Sequence, residues 1–107
     1  MSYVVKKIYS MLSTVIDPEL GYSLVALGLV YDVFFDEAER FVRVTITFTS
    51  PACPASEDII GAIKDKLVEM EEVDRVEVAV TFEPRWTAMK ASDDVKAEFA
   101  IRGIPLG

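Results

Sequence analysis

The chain has one thiol, Cys53, set in Thr49-Ser50-Pro51-Ala52-Cys53-Pro54 between an alternating apolar stretch and a helical pattern. Thiolate is the form of cysteine that attacks electrophiles and binds soft metals. Unpaired amides and the macrodipole at a helix N-terminus favour it. With Pro54 as the first helical residue, Cys53 becomes the N-cap and its sulfur lies near the free amides of the first turn. The hydroxyls of Thr49 and Ser50 are further donors to that sulfur, whereas Glu57 and Asp58 oppose a second negative charge. The competing reading is an inert buried cysteine in a strand-to-helix turn, because free Cys is among the most buried residue types.

Asp17 and Glu19 form the second group. Two carboxylates flanking Pro18, ahead of Gly21, suit a hard metal or a basic partner. They suit better a helix stop and turn in which Asp17 bonds its own local amides. Trp86, between Arg85 and Thr87, reads either as an anchor for a partner or as a plug for one end of the core. The row Thr45, Thr47, Thr49 reads as the outer face of a strand. Histidine is absent, which removes the Cys-His dyad, the Ser-His-Asp triad and the usual zinc sites. A thiol enzyme would need Asp, Glu, Lys or Tyr as its base, a rarer arrangement, so a non-enzymatic role is expected.

The elements that must hold these residues follow from periodicity. Val4, Val5, Ile8, Leu12, Val15 and Ile16 recur at helical spacing up to Asp17-Pro18, which stops a helix. Gly21 is free to turn, and Ser23 is placed to cap a short helical turn. Residues 27–36 and 41–49 alternate and are joined by a short polar link, the pattern of an antiparallel hairpin. A helix after Pro54 carries Ile59, Ile60, Ile63, Leu67 and Met70 on one stripe. A third strand sets Val76, Val78, Val80 and Phe82 against a polar row. A last helix runs from Ser92 to Ile101, packs through Val95 and Phe99, and closes at Gly103. The order predicts a two-layer α+β sandwich, helix-strand-strand-helix-strand-short helix, with a small mixed sheet covered by helices on one face.

At 107 residues the chain reads as one domain, residues 1–107. A net charge of −7 with scattered basic residues argues against nucleic acid and against an anionic membrane surface. No stretch approaches the roughly 20 apolar residues of a membrane span. One cysteine makes no internal disulfide, and the N-terminus lacks a signal pattern, so a cytoplasmic location is expected.

Four blocks occur in order: Asp17-Pro18-Glu19-Leu20, Leu27-Gly28-Leu29-Val30-Tyr31-Asp32-Val33, Thr49-Ser50-Pro51-Ala52-Cys53-Pro54 and Pro84-Arg85-Trp86-Thr87. Together they resemble the small iron–sulfur assembly domain family, which includes the bacterial SUF-system accessory protein, the phenylacetate-degradation D protein and the eukaryotic cytosolic iron–sulfur targeting subunit. The resemblance covers about residues 3–102. It implies that Cys53 is the principal functional residue and a metal or cluster ligand. It implies too that Asp17, Glu19, Thr49, Ser50, Pro51 and Pro54 line the site, and that Trp86 and Thr87 meet a partner. The function implied is iron–sulfur cluster assembly or maturation, as a transient carrier of cluster or iron or as an adaptor to recipients. The alternative is a metal-free adaptor for a multicomponent oxygenase or metabolic complex. A cluster usually takes four ligands, mostly thiolates, so one thiol per chain implies sharing with a second subunit in a homodimer, a scaffold, carrier or recipient protein, or a small thiol.

Overall fold

The computed structural model describes residues 2–50 and 54–104; Pro51 and Cys53 therefore lie outside the described residues. Its elements are α1 (Tyr3–Leu12), β1 (Val30–Asp36), β2 (Phe41–Ile46), α2 (Ser56–Leu67), β3 (Arg75–Val80), a single 3-10 turn (Ala88–Lys90) and α3 (Asp93–Arg102). β2 is the central strand, antiparallel to β1 and parallel to β3. The parallel pairing requires a crossover between β2 and β3, and α2 supplies it. α1 packs on α2 and β1, and α2 packs on β3, which makes the expected mixed sheet with helices against it.

Alternation puts Val42, Val44 and Ile46 of β2 wholly inside. In register beside them stand Val76 and Val78 of β3, and Val33 and Phe35 of β1. Ile8 and Leu12 of α1 and Ile59, Ile63 and Leu67 of α2 close the core from the helical side. The other face carries the rows Phe34–Arg43–Glu77 and Asp36–Phe41–Arg75. There Arg43 Nε bonds Glu77 Oε2 at 3.0 Å and its guanidinium lies over Phe34.

Several expectations are corrected. α1 ends at Leu12 rather than Asp17: the Ser13 and Thr14 hydroxyls donate to Tyr9 O and Met11 O, so the last carbonyls are satisfied without further helix. Val15 is buried, but from a small ladder in which Leu24 N–H donates to Val15 O, and Ile16 is half exposed beside Ser23. α2 begins at Ser56 with Ala55 as cap, so Pro54 precedes the helix and is exposed. Acidic Glu57 and Asp58 in its first turn complement the dipole in place of a capping side chain. The strands are shorter than their alternation. β1 starts at Val30 because residues 23–28 are taken up by a turn that Ser23 Oγ caps through Ala26 N–H. β2 stops at Ile46, with Thr47 buried rather than on an outer face. β3 ends at Val80, leaving Val80 and Phe82 substantially exposed beyond the helical cover.

The last helix matches its reading. Ser92 Oγ accepts from Val95 N–H, Gly103 adopts φ 77° and closes the C-terminus, and Val95 and Phe99 are the buried residues.

Candidate functional site: a cleft between two sequence-distant segments

The Asp17 turn is built by its own backbone. Asp17 N–H donates to Tyr22 O at 2.9 Å, and Gly21 N–H, at φ 80°, donates to Asp17 O at 2.8 Å. Asp17 Oδ1 accepts from Glu19 N–H at 2.7 Å and from Leu20 N–H at 3.2 Å. The carboxylate is 1 % exposed, and Oδ2 has no hydrogen-bond partner. Asp17 thus organises a turn that presents Leu20 on one side and Pro18 on the other. Glu19 is exposed on that turn.

The segment after β3 is tied to the segment before β1. Trp86 Nε1 donates to Leu27 O at 2.7 Å, Ser92 N–H to Ala26 O at 2.7 Å, and Tyr31 Oη to Pro84 O at 2.7 Å. Lys90 lies over the Tyr31 ring, and Arg102 reaches Tyr22 Oη at 3.1 Å. Tyr31 sits at a register shift in β1 and has no paired residue on β2, which frees its ring to reach this segment. Burial raises the Tyr31 phenol above its ordinary value, and the neighbouring Thr47 hydroxyl acts in the opposite sense. Thr47 Oγ1 itself makes no hydrogen bond of acceptable geometry.

Between these two segments lies a cleft of about 400 Å³ lined by Leu20, Thr49, Arg85, Trp86, Thr87, Ala88, Phe99 and Ile104. A second concavity, lined by Phe48, Thr49, Ser50, Phe82, Glu83, Arg85 and Trp86, shares Thr49, Arg85 and Trp86 with it. The structure therefore gathers Thr49, Ser50, Trp86 and Thr87 around one locality, with Trp86 as the wall between two hollows. Asp17 and Glu19 line neither hollow; their turn contributes Leu20. Pro54 stands outside both. The cleft residues not singled out from sequence are Leu20, Arg85, Ala88 and Ile104. Nothing in local spacing marks them, because they meet only through the long-range ties above. Among the described residues no group of three or more Cys, Asp or Glu could hold a metal ion.

Trp86 is half-buried, and its N–H bond makes it part of the wall rather than a free anchor. Trp86→Phe keeps an aromatic ring, though a smaller one than indole, and removes the donor. It is expected to lower stability by at least about 1 kcal/mol, the net worth of such a bond. In a domain of this size that is a fall of roughly 4–8 °C in the thermal midpoint, measurable by calorimetry.

Fold and site define a small α+β domain whose cleft opens beside Thr49 and Ser50. Residues 6–80 match the model of the iron–sulfur cluster assembly protein family, and the chain belongs to that family. It is 39% identical over 97 residues to the Fe-S protein maturation auxiliary factor YitW of Bacillus subtilis, covering 91% of this chain and 94% of that one. It is 45% identical over 73 residues to the Fe-S protein maturation auxiliary factor SufT of Staphylococcus aureus, covering 68% and 82% of the two chains. A crystallised domain of unknown function, DUF59, from Bacillus anthracis superposes with a TM-score of 0.84 at 41% identity, covering 91% of this chain and 92% of that one.

Proposed function

We propose that this protein acts in iron–sulfur cluster maturation, as a non-enzymatic factor that lends the Cys53 thiolate as one ligand to a cluster or iron in transit. The observation that carries the reading is the pairing of the family match with a single thiol that follows Thr49 and Ser50 closely in the sequence, and those two residues edge the clefts. The relatives named as Fe-S maturation factors span nearly the same length, which supports a role held by the whole chain. One thiol per chain gives a site poor in its own ligands, and such a site holds its cargo weakly, as delivery requires. The remaining ligands come from outside the chain: a second copy, a scaffold, carrier or recipient protein, or a small thiol. The cytoplasm, where thiols stay reduced, suits this chemistry. No helix among the described residues is long and apolar enough to cross a membrane.

Anaerobic reconstitution with iron and sulfide tests the reading. Wild type is expected to gain visible charge-transfer absorption and bound iron that Cys53→Ser loses to background. Equal absorption and iron content in the two proteins would show that Cys53 is no ligand.

A further inference from the structure

The two edges of the sheet differ. β1, at one edge, is broken by the register shift at Tyr31 and carries Asp32 and Asp36, features that discourage a further strand. β3, at the other edge, runs from Arg75 to Val80 in unbroken register with β2 and contains neither proline nor glycine. Arg75 N–H donates to Arg40 O and Thr81 N–H to Ile46 O, so the odd-numbered residues of β3 are the ones that bond β2. The even-numbered residues Val76, Val78 and Val80 therefore turn their N–H and C=O groups away from β2, to the side where the strand order ends among the described residues. Val76 and Val78 are only partly covered, and Val80, on the same face, is 41% exposed. A regular, valine-rich edge of this kind is a template for strand pairing.

The sequence of β3 selects a second copy of itself. Two copies paired antiparallel about a two-fold axis keep their side chains on matching faces only when the axis lies beside a residue rather than between two. An axis at Val76 needs Asp74 in the ladder, but Asp74 N–H is turned to Arg40 O. An axis at Glu77 sets that carboxylate directly against its own copy, which is destabilising. Axes beyond Val78 carry the pairing past the end of β3 at Val80. An axis at Val78 meets none of these objections: Val78 faces its own copy, Val76 faces Val80, and Glu77 faces Ala79. We propose that β3 is the self-association edge of this protein, and that two copies pair through it antiparallel about an axis at Val78. The outward groups of all three valines are then bonded, and each exposed Val80 is covered by the partner's Val76. Glu77 keeps its bond to Arg43 at 3.0 Å. Such pairing is independent of any ligand role for Cys53.

Sedimentation equilibrium of the full chain, from micromolar to millimolar concentration, is expected to show a mass rising to twice that of the chain. Ala79 stands beside Thr45 on the helix-free face and is partly exposed, so a charge there is expected to leave the fold intact, as far-UV circular dichroism checks. In the proposed register Ala79 faces the partner's Glu77 twice in each dimer. Ala79→Glu is therefore expected to raise the dissociation constant roughly tenfold, and Ala79→Lys to lower it about fivefold. The reverse signs would put Ala79 opposite the partner's Arg75, and weakening by both would put it opposite itself; either result overturns the axis at Val78. A chain that stays monomeric throughout, or a dimer indifferent to both changes, overturns the edge altogether. Wild type alone supplies a second readout by hydrogen exchange. The amides of Val76, Val78 and Val80 are expected to gain protection as concentration rises, whereas those of Glu77 and Ala79, bonded to β2, are protected throughout. Valine amides whose exchange does not change with concentration overturn the proposal without any variant.

Discussion

Gly28→Ala is expected to destabilise the protein by about 2–5 kcal/mol, a large effect for one methyl group, seen as a lower urea midpoint at unchanged slope. Two costs add. Gly28 has φ 74°, a left-handed conformation that costs a residue with a Cβ roughly 1–2 kcal/mol. A Cβ placed there would lie 2.2 Å from Lys90 O and 2.8 Å from Lys90 C, and such overpacking costs about 1–3 kcal/mol. The obstacle is backbone, so it cannot rotate away. Relief requires the 3-10 turn to lift, and lifting it strains the bonds from Trp86 to Leu27 and from Ser92 to Ala26. Gly21→Ala is the control. Its φ is 80° but nothing lies within 4 Å of the added atom, so only the backbone cost of about 1–2 kcal/mol applies. Equal losses at the two positions would mean that the close approach to Lys90 contributes nothing.

Phe99→Ala is expected to cost about 3–5 kcal/mol, the usual toll of deleting a buried aromatic ring. Phe99 is fully buried and meets Tyr22 edge-on, with centroids 5.6 Å apart. α3 buries only Val95 and Phe99, so the helix loses its main hold on the rest of the chain. The ring also forms part of the cleft lining, so the variant is expected to shift Trp86 emission to the red even where the sheet remains folded. Hydrogen exchange should then show residues 93–102 open well before β2. Ile101→Ala, at a side chain that is 86% exposed, is expected to stay within about 0.5 kcal/mol of wild type. A similar loss from both changes would remove Phe99 as the anchor of α3.

Much of the frame was legible because it depends on local chemistry. Ser92 and Gly103 mark the ends of α3 by capping alone, and both do so in the structure. The alternation of β2 places Val42, Val44 and Ile46 inside without reference to any other element. Asp17 was readable as a turn-former because its partners are two and three residues away. The misses have a common cause. Apolar periodicity reports burial and not the element doing the burying, so Val15 extended the helix on paper while packing from a ladder in fact. Thr47 is buried although its alternation assigns it outward, since the strand has ended and parity no longer applies. Arg85 was passed over because its place in both hollows depends on long-range ties, which no local pattern carries.

The ties across the cleft have a consequence for when the protein becomes competent. Leu27 and Trp86 are 59 residues apart, Tyr31 and Pro84 are 53 apart, and Tyr22 and Arg102 are 80 apart. During synthesis the β1–β2 hairpin pairs early, since its partners are close in sequence. The cleft has no opposite wall until the final helix has left the ribosome. A nascent chain stalled after β3 would hold its thiol and all three strands of the sheet but no complete pocket. The order of synthesis thus makes the cleft the last feature the chain completes, and ties it to the segment that carries Phe99 and Ile104.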